Sequence, residues 1–164
     1  MPGARANLVY WGIGAAVFAA IATAAFLKVW PLLNPEVVAS APLDPACDLR
    51  SGPCTSRLPA GGTVTFAIEP RAIPVMEPVR LEVRVEGLSA GGVEVDIAGV
   101  DMNMGFNRPA LASQGGGRFA GETTIPVCVR NRMDWEAKVL VRTPDGIVAA
   151  PYRFSTYRAR GEKN

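Results

Sequence analysis

From Ala6 to Leu27 the chain carries no Lys, Arg, Asp or Glu. As a helix rising about 1.5 Å per residue, such a run covers about 30 Å, the thickness of a bilayer's hydrocarbon core. This constrains the fold more than any other feature, because everything downstream is expected on one side of a membrane and tethered to it. Arg5 precedes the run and Lys28 follows it. A short cationic start before a long domain predicts that the start stays inside and the domain is exported. Tyr10, Trp11 and Trp30 stand near the two ends as interface anchors. The competing reading is a cleaved signal peptide, since Ala39-Ser40-Ala41 has the A-x-A pattern. The apolar run is longer than a signal core, and that pattern lies about a dozen residues past its end, so an uncleaved anchor is expected. Asp44-Pro45-Ala46 before Cys47 is not an apolar lipobox.

Charge excludes some partners. The chain has a net charge of +2, which comes from Arg5 and Lys28, so the segment from residue 31 onward is neutral. No basic patch points to nucleic acid. There is no His. This removes Ser-His-Asp and Cys-His catalysis, His-ligated metal sites and the usual general base at neutral pH. With no phosphate loop and no paired carboxylates, the protein is expected not to be an enzyme.

Residues 31–62 are rich in Pro, Ala, Ser and Gly, with Pro31, Pro35, Pro42, Pro45 and Pro53 opposing helix or central strand. They read as a linker followed by a Cys-bounded loop. From Thr63 the pattern changes to period two. Val64, Phe66 and Ile68 share one face, as do Val79, Leu81, Val83 and Val85, then Val93, Val95 and Ile97. Further candidate strands are Arg118–Thr124, Trp135–Arg142 and Ile147–Ser155, with Trp135 read as a core residue. Turn signals such as Glu69-Pro70, Gly91-Gly92 and Pro144-Asp145-Gly146 separate them. The expected fold is all-β: an immunoglobulin-like antiparallel sandwich of about seven strands behind one N-terminal transmembrane helix. The expected divisions are an anchor over 1–30, a linker and Cys loop over 31–62, a sandwich over 63–157 and a charged tail over 158–164.

Sulfur is the second distinctive feature. Cys47 and Cys54 frame CDLRSGPC, which an oxidising compartment would close as a local disulfide. A thiol pair that binds metal or exchanges electrons is the alternative, although the spacing is not CxxC. Cys128, in Ile125-Pro126-Val127-Cys128-Val129, is left over as a buried inert thiol or as a ligand, and Pro126 suggests an edge strand or strand start. In Asp101-Met102-Asn103-Met104-Gly105, an extended chain projects Met102 and Met104 from the same face, about 7 Å apart. Two thioethers with a thiolate nearby form a soft set that favours Cu(I), and Met76 and Met133 are possible additions. Methionine is also an ordinary core filler, although the polar flanks here resemble a loop or strand end.

Cys47–Cys54, Val100–Asn107, Gly117–Gly121, Ile125–Cys128 and Met133–Trp135 together resemble segments of FixH/YtkA-like membrane-anchored proteins, associated with copper handling and cytochrome oxidase assembly. The resemblance implies an immunoglobulin-like periplasmic domain at a bacterial inner membrane, with Met102, Met104 and Cys128 as the positions for copper. Many periplasmic copper carriers pair His with Met. The absence of His here narrows any metal role to Cu(I). Two functions follow as expectations. One is a tethered Cu(I)-binding accessory protein serving an oxidase or another copper enzyme. The other is a metal-free interaction or assembly subunit of a membrane complex, with Gly12 and Gly14 allowing close helix approach.

Overall fold

The computed structural model describes residues 4–33, 36–59, 61–102, 105–127 and 130–157. The chain divides into two units, with the boundary between Glu36 and Val37.

The first unit is one helix, α1 (Ala4–Leu33). Within it Tyr10–Pro31, 22 residues of mean hydropathy 1.9, is long and apolar enough to cross a membrane. It has no polar stripe, as expected of a helix whose whole surround is hydrocarbon rather than a protein core on one side. Phe26 and Trp30, one turn apart, stack at 5.2 Å between ring centroids. Pro31 stands in the last turn, where it removes a single hydrogen bond from a helix about to end.

The second unit is β-rich. Its strands are β1 (Val37–Ser40), β2 (Cys54–Arg57), β3 (Thr63–Glu69), β4 (Pro78–Glu86), β5 (Gly92–Gly99), β6 (Ala110–Gly115), β7 (Arg118–Thr124), β8 (Arg132–Thr143) and β9 (Gly146–Tyr157). They form one sheet in the order β1-β9-β8-β5-β6-β7-β4-β3-β2. The alternation in β4 is complete: Val79, Leu81, Val83 and Val85 are buried, and Arg80, Glu82 and Arg84 are exposed. β3, β5, β8 and β9 present matching inward rows, with Trp135 and Tyr152 the largest fully buried side chains. The inward rows meet because the sheet curls on itself. Phe66 on β3 packs against Tyr152 on β9 at 5.3 Å, although these strands lie near opposite ends of the strand order. The curl turns at β6. Ala110 and Leu111 pair with β5, and Ala112 to Gly115 pair with β7, so one strand serves both halves.

The structure departs from the sequence expectation in strand count and in the linker. Nine strands occur among the described residues where about seven were expected, and β1 pairs with β9 in parallel. Residues 37–40 and 54–57, read as linker and Cys loop, are the two edge strands of the sheet, where prolines nearby cost no internal ladder bonds. Ala41, Leu49 and Leu58 from the same stretch are buried in the core. Ala39-Ser40-Ala41 is likewise part of the fold, because Ser40 pairs with Ala149 and the Ala41 amide donates to the Ala149 carbonyl at 2.8 Å. The charged tail expected over 158–164 lies outside the described residues.

The strand directions put several loop attachments at one end of the unit. The β3–β4 loop (70–77), the β5–β6 loop (100–109), the β7–β8 loop (125–131) and the end of β9 share that end. β1 begins at the other end, with the turns at 87–91, 115–117 and 144–145. At that other end Gly117 has φ +74, and a Cβ there would collide with the carbonyl oxygen of Val85, so only glycine suits the β6–β7 turn.

Candidate functional site

Three loops are fastened together at the end that carries Met76 and Met102. The Met76 amide donates to the Ile125 carbonyl at 2.9 Å, and Val75 bridges Ile125 in parallel. The Asn107 side chain donates to the Thr124 carbonyl at 3.2 Å and accepts from the Thr123 hydroxyl at 2.8 Å. The Val100 amide donates to the Asp134 carbonyl at 3.0 Å. Asp101 and Arg130 approach to 3.7 Å, joining the loop that carries Met102 to the loop that carries Cys128.

Met102 follows the end of β5 in a bend, half-buried against the core. Met133 is sealed in the core, and Met76 stands exposed on the β3–β4 loop, so these two do not share one environment. Met104 and Cys128 lie outside the described residues. Ile125, Pro126 and Val127 follow the end of β7 as loop, not as an edge strand. Among the described residues no group of three or more His, Cys, Asp or Glu is placed to hold a metal ion.

Cys47 and Cys54 are joined in a disulfide, so in this state neither sulfur is a free ligand. The loop they close is built for packing. The Asp48 carboxylate accepts from the Ser51 hydroxyl at 2.6 Å and from the Arg50 amide at 3.0 Å, and these bonds stabilise its charged form and hold its pKa below the usual carboxylate range. That turn points Leu49 into the core. Arg50 then reaches the free edge of β9, donating to the Ser155 carbonyl at 2.9 Å with its guanidinium 5.2 Å from the Tyr157 ring centroid. Arg71 donates to the Ser51 carbonyl at 3.1 Å from the neighbouring loop.

The start of β8 carries a small polar network. The Ser155 hydroxyl donates to Asp134, and with Arg132 alongside at 2.9 Å it holds the carboxyl below its ordinary range against the opposing effect of burial. The Trp135 ring N–H donates to the Thr156 hydroxyl at 2.9 Å, so the largest core residue has its one polar atom satisfied.

This end also exposes large apolar side chains. Met76, Val100, Phe106 and Val127 are 64%, 40%, 65% and 45% exposed. Beside Phe106, the Arg108 guanidinium sits 5.0 Å from the ring centroid and pairs with Asp96 at 2.9 Å. Sequence reasoning had not singled out Phe106, although a large aromatic between Gly105 and Asn107 in a polar loop is a signal in itself.

No protein-family model matches the chain, and no curated protein matches it. Among solved structures the chain is similar to a crystal structure of an engineered protein, at 19% identity and a TM-score of 0.43, over 61% of this chain. This chain spans 21% of that protein's length, a likeness too slight to carry an argument about fold or function.

Proposed function

We propose that this protein is a single-pass, membrane-tethered docking module without catalytic activity, its β-rich domain exported and its loop end seated on a protein partner in the same membrane. The observation that carries the reading is the group of exposed apolar side chains on three mutually fastened loops, Met76, Val100, Phe106 and Val127. Large apolar residues grouped at one end of a domain mark an interaction surface more than solvent exposure alone explains. The module would have an immunoglobulin-like role, with the sheet as a scaffold and the loops as the contact. Blue-native electrophoresis of the full chain extracted from its own membrane tests this. The wild type should migrate within a larger assembly, and Phe106→Ser with Val127→Ser should release it. Co-migration unchanged in that variant defeats the reading.

A second reading rests on one specific contact, the Asp101–Arg130 pair at 3.7 Å, between the residue before Met102 and one two positions past Cys128. In it the periplasmic loop end carries Cu(I) on Met102, Met104 and Cys128 for an oxidase or another copper enzyme, in keeping with the FixH/YtkA-like resemblance. Thioether and thiolate donors suit Cu(I). Anaerobic titration should give one Cu(I) per chain, lost in Met102→Leu/Met104→Leu. The same stoichiometry in that variant removes copper from the account.

A further inference from the structure

On the outer face of the sheet, Thr65 and Ala67 of β3, Arg80, Glu82 and Arg84 of β4, and Arg118 and Ala120 of β7 line a groove of about 510 Å³. The register sets its charge pattern. Arg84 stands directly opposite Arg118, Glu82 opposite Ala67 and Ala120, and Arg80 between Glu69 and Glu122. The groove therefore has a doubly cationic end, a middle row where Glu82 stands between the small Ala67 and Ala120 and pairs with Arg80 at 2.8 Å, and a far end where Arg80 is flanked by acids.

Two like charges in direct register oppose each other. Arg84 is partly offset by Glu86 at 2.8 Å, but both are more than half exposed, and such pairs exchange readily with another carboxylate. Arg118 has no ion-pair partner among the described residues. We propose that this groove binds an extended peptide segment of a protein partner, with one carboxylate side chain lodged between Arg84 and Arg118. Guanidinium groups take a carboxylate as paired hydrogen bonds, which gives the contact geometry as well as charge. The small Ala67 and Ala120 let a peptide backbone approach closely. Glu82, two strand residues along, and Glu69 and Glu122, four residues or about 13 Å along, repel a second carboxylate and fix the segment's direction. The same carboxylates disfavour a polyanion or an anionic lipid surface. The site is independent of the loop-end reading.

The test is fluorescence anisotropy of the full chain in detergent with a labelled peptide of small residues bearing a single Glu, against the same peptide with Gln. The Glu peptide should bind about tenfold more tightly, a preference worth about one paired hydrogen bond to a charged group, and the preference should fade with added salt. Arg118→Glu should abolish it without lowering the thermal midpoint, because a Glu there opposes Arg84 favourably. Phe106→Ser should leave it intact. Equal binding of the two peptides, or a preference that survives Arg118→Glu, overturns the proposal. So does flotation with phosphatidylglycerol vesicles that is lost in Arg118→Glu while the peptides show no preference.

Discussion

The Tyr152 hydroxyl on β9 donates to the Val64 carbonyl on β3 at 2.6 Å, crossing the interior between strands that are far apart in the sheet. The ring packs on Phe66 at the same place, so one residue fastens the curl by both contact and hydrogen bond. Ser56 lies opposite Val64 on the edge strand, with its side chain buried. Tyr152→Phe keeps the ring and removes the donor. The expected cost is about 0.5–1.5 kcal/mol, read as a lower urea midpoint at unchanged slope.

Burial pushes the Tyr152 phenol above its ordinary value of 10.0, with contacts to Ser56 pulling it partly back. An acid whose folded-state pKa is raised holds its proton more tightly when folded. Its stabilising contribution is therefore complete below pH 10 and lost as pH rises through the folded value. Stability measured from pH 9 to 12 should fall more steeply in the wild type than in Tyr152→Phe. Parallel curves would show that this phenol is not the titrating group.

The Cys47–Cys54 disulfide closes a short loop whose Leu49 is in the core and whose Arg50 covers the β9 edge. Replacing both cysteines with Ser should cost about 2–3 kcal/mol from chain entropy at this loop size. Hydrogen exchange should rise first at residues 47–54 and along the β9 edge, before the rest of the sheet responds. Uniform loss of protection would mean that the loop is not a separable cover.

Gly117→Ala should destabilise the domain by more than about 1 kcal/mol, since it adds an unfavourable φ to a clash with the Val85 carbonyl. Gly116→Ala makes a control, because a Cβ there meets nothing within 4 Å and only the φ is unfavourable. The thermal midpoints of the two variants should fall in that order, with Gly117→Ala the lower.

The alternating strands were legible because half-buried sheet writes its period into the chain: Val79 to Val85 and Val93 to Ile97 were placed to within two residues. β6 was not legible. Only Leu111 of its six residues is buried, because the strand turns the corner between the halves and has no single inward face. β1 and β2 were hidden by their brevity and by the prolines around them, which suit sheet edges. At the candidate site, the disulfide was readable from spacing and compartment, and the loop character of Met102 from its polar flanks. The facing of Arg84 and Arg118 was beyond reach, since it depends on pairing between β4 and β7, strands that are not consecutive in the chain.

The pairing of β1 with β9 joins the first strand after the helix to the last, Val37 to Ile147 and Ser40 to Ala149. A ribosome delivers these partners at widely separated moments, and loop closure over that length precedes any reward from the contact. The nascent domain thus waits, its founding edge unpaired, until β9 has been made. Truncation before β9 would leave a span that inserts normally but carries an unfinished sheet, a ready substrate for quality-control proteases.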